Sequence, residues 1–238
     1  MIIFIEKSFK NYIQAIGRGK NAGRTLTQEE AFDAMSLLMS GQVTAEQRGA
    51  FLMLLRVREE TAQELAGFSQ ALQAASSPDV SQFGVDLDMG CYAGKRRQHP
   101  WFIFSVLLLA KTGRRIFLHG TSEPDSKRFY LHTALAQLGI PLPSDTEKAK
   151  SQLDELGFTY LPLQQINPRL NDLIQLRSQF GLRSCANTLA RMLNPSRAPF
   201  SLQGVFHKHV DVKHQETAAL LGDTNVLTFR GEGGEIEY

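Results

Sequence analysis

The residues best equipped for chemistry in this sequence are lysines and arginines set among glycines. Gly90-Cys91-Tyr92-Ala93-Gly94-Lys95-Arg96-Arg97-Gln98 is one such run, and His119-Gly120-Thr121-Ser122-Glu123-Pro124-Asp125-Ser126-Lys127-Arg128 is a second. Between Gly90 and Arg128, eight basic side chains (Lys95, Arg96, Arg97, Lys111, Arg114, Arg115, Lys127, Arg128) stand against two acidic ones (Glu123, Asp125). The local charge is +6 in a chain whose net charge is only +2. Glycine lets a backbone come close to a ligand, and a following helix offers free amides and a positive dipole end, so the composition is that of a phosphate-seeking site. A third basic loop, Gly17-Arg18-Gly19-Lys20-Asn21-Ala22-Gly23-Arg24, lies near the N-terminus. Any one such run taken alone is as readily a solvated surface; two at one end of a sheet point to phosphate.

Other chemistry is thinner. His207, His209 and His214 lack a cysteine or carboxylate at metal-ligand spacing and read as surface histidines. Cys91 and Cys185 are too few for a disulfide framework and have no paired base, so they read as a loop thiol and a packing residue. No catalytic residue and no metal ligand is assigned. Tyr92 or the single tryptophan, Trp101, could stack a base, although Trp101 reads first as core.

The elements that must position these loops fall into two groups. Thr27-Gln28-Glu29-Glu30, Thr44-Ala45-Glu46-Gln47 and Thr61-Ala62-Gln63-Glu64 are capping boxes, each ahead of an apolar run at helical spacing. With a helix over Phe9–Ile16 they predict a bundle of about four helices at residues 1–78, with a linker near Ser76–Gly84. From there to Tyr238, strands alternate with helices. Val85–Met89, Arg115–Leu118, Phe158–Leu161, Gly204–Phe206 and Val226–Phe229 are read as strands. Pro100–Lys111, Ser126–Leu138, segments from about Pro168 and about Cys185, and Val210–Leu221 are read as helices. That alternation predicts an α/β domain over residues 79–238 with a mainly parallel sheet and ligands at the carboxyl ends of its strands. The apolar start Ile2–Ile5 is too short to span a bilayer, is followed by Glu6 and has no signal-peptide character. The expectation is a cytoplasmic protein with no membrane partner.

These residues carry a resemblance. The run Leu26-Thr27-Gln28-Glu29-Glu30-Ala31 with Gly41, Gln47, Arg56, Glu64, Leu65 and Gly67 is similar to the helical domain of the anthranilate phosphoribosyltransferase and pyrimidine nucleoside phosphorylase superfamily, glycosyltransferase family 3. His119-Gly120 with Ser126-Lys127 resembles its second-strand segment. Arg177-Ser178-Gln179-Phe180-Gly181-Leu182-Arg183-Ser184, with Asn187 and Asn194-Pro195, resembles the segment that holds the aromatic acceptor. Arg230-Gly231-Glu232-Gly233-Gly234-Glu235 resembles the last. The resemblance implies a helical domain packed on an α/β domain, a homodimer through the N-terminal helices, an acceptor-like cleft at Arg177, Arg183 and Asn187, and a chain that continues past Tyr238.

It also implies where this chain departs. The family's G-T-G-G-D loop, which cradles a diphosphate, is replaced by Met89-Gly90-Cys91-Tyr92-Ala93-Gly94, without the aspartate. Its D-E pair for Mg²⁺ falls at Glu235-Ile236, and its K-H-G lysine at Leu118. All three changes fall on the site for phosphoribosyl pyrophosphate and magnesium. Tyr92-Ala93-Gly94-Lys95-Arg96-Arg97-Gln98 and Ile16-Gly17-Arg18-Gly19-Lys20-Asn21 are similar to a paralogous branch associated with nucleic-acid binding. Two readings follow. In the first, a degenerate transferase with no cofactor binds nucleic acid without strong sequence specificity, through Gly90, Tyr92, Gly94, Lys95, Arg96, Arg97, His119, Gly120, Ser126, Lys127, Arg128, Arg18, Lys20 and Arg24. In the second, an active transferase uses Mg²⁺ and phosphoribosyl pyrophosphate on an unidentified aromatic or nucleobase acceptor.

Overall fold

The structure, a computed structural model, describes residues 8–19, 22–77, 79–124 and 126–236. The expectations placed on Ile2–Ile5 and Lys20 lie outside them. Four helices open the chain: α1 (Phe9–Gly17), α2 (Gln28–Met39), α3 (Ala45–Arg58) and α4 (Ala62–Ala74). Each predicted capping box is formed, with Thr27, Thr44 and Thr61 accepting the N3 amide and Glu30, Gln47 and Glu64 reaching back. Glu64 does more than cap. Fully buried, it also accepts from the Leu26 amide (2.8 Å) and Arg58 Nη2 (2.6 Å), so one carboxylate ties three segments. At Gly67 α4 passes so close to α2 that a Cβ would lie 2.1 Å from the carbonyl oxygen of Gln28. Phe9, Phe51 and Phe68 follow one another at centroid distances of 5.1 and 6.1 Å through the bundle core.

The second unit begins with β1 (Leu87–Gly90), α5 (Phe102–Lys111), β2 (Ile116–Gly120), α6 (Leu131–Gln137), α7 (Thr146–Leu156) and β3 (Phe158–Pro162). It continues with α8 (Leu163–Ile166), α9 (Pro168–Gln175), α10 (Arg177–Phe180), α11 (Cys185–Met192), β4 (Phe200–Val205), α12 (Val210–Leu221) and β5 (Val226–Arg230). The five strands form one parallel sheet in the order β3-β2-β1-β4-β5, with Leu87 opposite both Ile116 and Phe200. The chain moves outward from β1 to one edge, then returns beside β1 and moves to the other. The switch point therefore lies between the carboxyl ends of β1 and β4. One sheet face, with Phe117 and Leu161, joins the same continuous core as the helical bundle and α11; the other, with Met89, Ile116 and Leu118, packs on α5 and α6. Beside β4 and β5 the covering is incomplete: Phe229 is exposed, and exposed Phe200 and Leu227 line an apolar cavity of about 360 Å³.

The elements differ from expectation at several points. The helix expected from Ser126 begins at Leu131, because Phe129 is drawn into an antiparallel bridge with Lys95 (amide-to-carbonyl distances of 2.7 and 2.8 Å). The fourth strand starts at Phe200 rather than Gly204. Helix α7 went unread because its N-cap, Asp145, has Lys148 at N3 where a capping box would have Glu or Gln. No helix among the described residues is long and apolar enough to cross a membrane.

Candidate functional site

The loop after β1 is held from both sides. Gly94 takes φ +62°, and a Cβ there would lie 2.9 Å from the Tyr130 ring, so glycine is required for conformation and for space. The amides of Ala93 and Gly94 point at one oxygen of Glu235, which accepts both at 2.8 and 2.7 Å. Arg128 Nη1 donates to the carbonyls of Ala93 (2.9 Å) and Gly94 (3.1 Å) from the other side. Burial pushes the Glu235 carboxyl above its ordinary pKa, while the Gly94 amide and the Arg191 and Lys95 cations act in the opposite direction. Desolvation also lowers the pKa of half-buried Arg191. A carboxylate thus sits on the amide pair that the sequence offers to a phosphate.

Tyr92 turns inward. Its hydroxyl lies 2.6 Å from His119 Nδ1, and His119 Nε2 lies 2.8 Å from Asp88 Oδ1. With Nε2–H turned to the carboxylate, the Nδ1 of the neutral tautomer faces the phenol as an acceptor. Asp88 Oδ2 accepts from the hydroxyl and amide of Ser196, which completes the chain. All four residues are buried, and desolvation raises the Tyr92 phenol well above its usual pKa. The relay fills the space beside Gly90 and is closed to solvent.

A second carboxylate occupies the acceptor-like cleft. Glu123 accepts from Arg177 Nη1, from Arg183 Nη2 at 2.7 Å and from Asn187 Nδ2 at 2.8 Å. Asn187 is oriented by its other end, where Oδ1 accepts from the Ser184 amide in a fourth capping box. The three residues predicted to line that cleft are therefore brought together, around a side chain of the same protein. Beside them Ser122, Ser126, Lys127, Arg128 and His132 line an open depression of about 640 Å³.

The predicted phosphate residues separate by environment. Arg96, Arg97, Lys127 and Arg18 are exposed. Lys95 is only 2% exposed, which corrects its reading as a free loop cation, and Gly90, Tyr92, Gly94, His119 and Gly120 are buried as well. Arg128 is half-buried and engaged, Ser126 takes a bond from Tyr130, and Arg24 pairs with Glu30 at 2.6 Å. Base stacking on Tyr92 is excluded by its burial, whereas Trp101, read first as core, is 53% exposed. His214 is not at the surface: it is buried, its Nδ1 lies 2.7 Å from Gln203 Oε1, and desolvation lowers its pKa to about 4. Cys91 and Cys185 are buried with thiol pKa values raised by desolvation.

Sequence reading missed Asp88, Glu123, Arg191 and Ser196. Asp88 carried a signal, since a charged residue inside a doubly covered parallel strand must be partnered. Arg191 carried a weaker one, lying four residues after Asn187 on the same helix face. Glu123 carried none.

With this geometry in view, the relatives fall into place. A family profile described as the glycosyl transferase family helical bundle domain matches residues 10–76, and one described as that family's a/b domain matches residues 132–237. The chain belongs to this glycosyl transferase superfamily. Anthranilate phosphoribosyltransferase of Methylobacterium nodulans is 30% identical over 95% of this chain, and that of Geobacillus stearothermophilus 28% over 89%. This chain spans 66% and 62% of the length of those two relatives. The crystal structure of the Thermus thermophilus enzyme superposes with a TM-score of 0.76 at 26% identity, covering 97% of this chain and 67% of that one. The Saccharomyces cerevisiae enzyme in complex with PRPP and Mg shares the fold, with a TM-score of 0.71 at 17% identity over 96% of this chain and 67% of that one. The helical bundle joined to a parallel-sheet α/β domain is the superfamily's architecture.

Proposed function

We propose that this chain is a nucleic-acid-binding member of the superfamily, of the paralogous branch its loops resemble, and that its transferase site is filled by its own side chains. The observation that carries this reading is the Glu235 carboxylate on the amides of Ala93 and Gly94. A diphosphate at that loop would have to displace a buried carboxylate and meet the Tyr92 ring. Magnesium fits no better. It needs several hard oxygen ligands, and here the second acid of the family pair is Ile236, while half-buried Arg191 acts electrostatically on the one carboxylate present. No step through phosphoribosyl pyrophosphate or magnesium follows from these residues. What remains open is the rim, where exposed Arg96, Arg97 and Lys127 can displace counterions from a polyphosphate backbone without reading its sequence.

The test separates rim from interior. Changing Arg96 and Arg97 together to Ala should weaken binding of duplex DNA at every sequence and reduce the log–log salt slope by about 2. Arg114 and Arg115 stand at the amino ends of the strands, and Arg115 is engaged by Asp154 (2.8 Å) and by the Gly84 carbonyl (2.9 Å). Their replacement should leave the slope nearly unchanged, and equal losses from both pairs would show that general charge, not this loop, attracts the polymer. A second reading, a transferase acting on another acceptor, is favoured by the convergence of Arg177, Arg183 and Asn187 on a carboxylate. It predicts turnover with phosphoribosyl pyrophosphate and some aromatic or nucleobase acceptor, and no binding of DNA by the wild type at low salt would bring it to the front.

A further inference from the structure

The one tryptophan of the chain lies on the surface, at the start of α5 and beside the basic rim. Trp101 is 53% exposed and Phe104, one helical turn on, is 47% exposed; their rings are nearly parallel, 17° apart, with centroids 5.9 Å apart. His99 meets Trp101 edge-on at 5.4 Å and Phe129 at 4.9 Å, and Phe129 is the residue bridged to Lys95. The aromatic row is thereby fixed to the loop that carries Arg96 and Arg97 and to the segment that carries Lys127. Arg96 is near enough to Arg128 that their charges disfavour each other. The acids of the adjoining loops that the structure describes, Glu123 and Glu235, are buried, and the amino end of ten-residue α5 adds its own positive potential.

Flat, exposed rings flanked by exposed guanidinium groups suit a polyanion that also presents flat faces. We propose that Trp101 and Phe104 form a stacking platform for unpaired bases, with Arg96, Arg97 and Lys127 holding the adjoining phosphates, so that this rim binds single-stranded nucleic acid. The proposal rests on the nucleic-acid reading above and adds to it a strand state and a site. Duplex DNA keeps its base faces internal, so it gains only the phosphate part; a single strand gains both. Beyond the platform, Leu108 and Leu109 continue the exposed face of α5, and a second copy of the chain is the competing occupant.

Trp101 reports on its own site, because no other tryptophan contributes. Titrating the protein at low salt with an oligothymidylate should quench its fluorescence to saturation, whereas a matched duplex should bind without comparable quenching. Trp101→Ala should weaken single-strand binding by about 5- to 100-fold, leave duplex binding within about twofold and leave the salt slope unchanged, with Trp101→Phe restoring most of the loss. Single-strand binding without quenching and without effect of Trp101→Ala would overturn the platform while leaving nucleic-acid binding intact. So would a Trp101→Ala, Phe104→Ala variant that loses self-association in sedimentation but keeps its single-strand affinity. A wild type that binds neither strand state overturns the platform together with the reading beneath it.

Discussion

Two of the chain's own carboxylates, Glu235 and Glu123, occupy amides and guanidinium groups suited to an anion, and the pairing of Glu123 is open to a direct test. Glu123 neutralises Arg177 and Arg183, whose side chains remain about one third exposed. Glu123→Ala should cost about 2 kcal/mol of unfolding free energy in urea, less than a wholly buried pair because water screens the arginines. The same variant should gain an anion site. Inorganic phosphate or benzoate should raise its Tm more than that of the wild type, and equal shifts would show that the arginines are not released. His214 gives a pH signature. Its folded pKa, about 4, lies below the ordinary 6.5, so as pH falls from 6.5 to 4 the unfolded chain takes up a proton that the folded chain refuses. Stability should drop by about 3 kcal/mol across that window from this group alone, and the drop should be smaller by that amount in His214→Gln. Identical pH profiles for the two proteins would mean that His214 is protonated in place.

At the scale of elements, the bundle depends on the close approach at Gly67 and three reciprocal caps. Gly67→Ala would push a methyl group into the carbonyl of Gln28, and since neither helix backbone can yield without moving its neighbours, the loss should be about 2–3 kcal/mol. Thr44→Ala, which removes one exposed cap, should cost only about 1 kcal/mol. Chemical denaturation of both variants gives the comparison, and a Gly67→Ala protein as stable as wild type would mean that α2 and α4 are free to separate. The loop after β1 is constrained in the same manner, by Gly94 against Tyr130 and by Phe129 against Lys95. Lys95 therefore belongs to the folded framework rather than to the rim. Adding Lys95→Ala to the Arg96, Arg97 double variant should lower stability without flattening the salt slope further, where three free cations would have removed about 3 from the slope.

For the whole molecule, the proposals concern assembly and activity. Val57 on α3 is 85% exposed and Phe32 on α2 is also uncovered, which supports a homodimer through the N-terminal helices. Sedimentation at micromolar concentration should give about twice the 26.6 kDa of the chain, and Val57→Glu should return it to the monomer. With the amides of Ala93 and Gly94 occupied by Glu235, product formation from phosphoribosyl pyrophosphate and anthranilate should stay at background. A turnover number on the order of 1 s⁻¹ would overturn that expectation.

What the sequence determined by itself is what closes over short distances. The Thr27, Thr44 and Thr61 caps bond within three residues, so their helices were legible at once, and the strand–helix alternation that demands a parallel sheet is local in the same sense. That Arg177, Arg183 and Asn187 belong together came from the family resemblance of their segment, and they lie within ten positions of one another. Which charges are free was not legible. Glu235 meets the Gly94 amide across 141 residues, Arg177 meets Glu123 across 54, and Phe129 draws Lys95 inward from another segment. Composition counts a lysine or a glutamate the same wherever it lies. Burial and partnership are set by the order in which the strands pack, and only the tertiary structure decides whether a charge faces water, a ligand or another part of the chain.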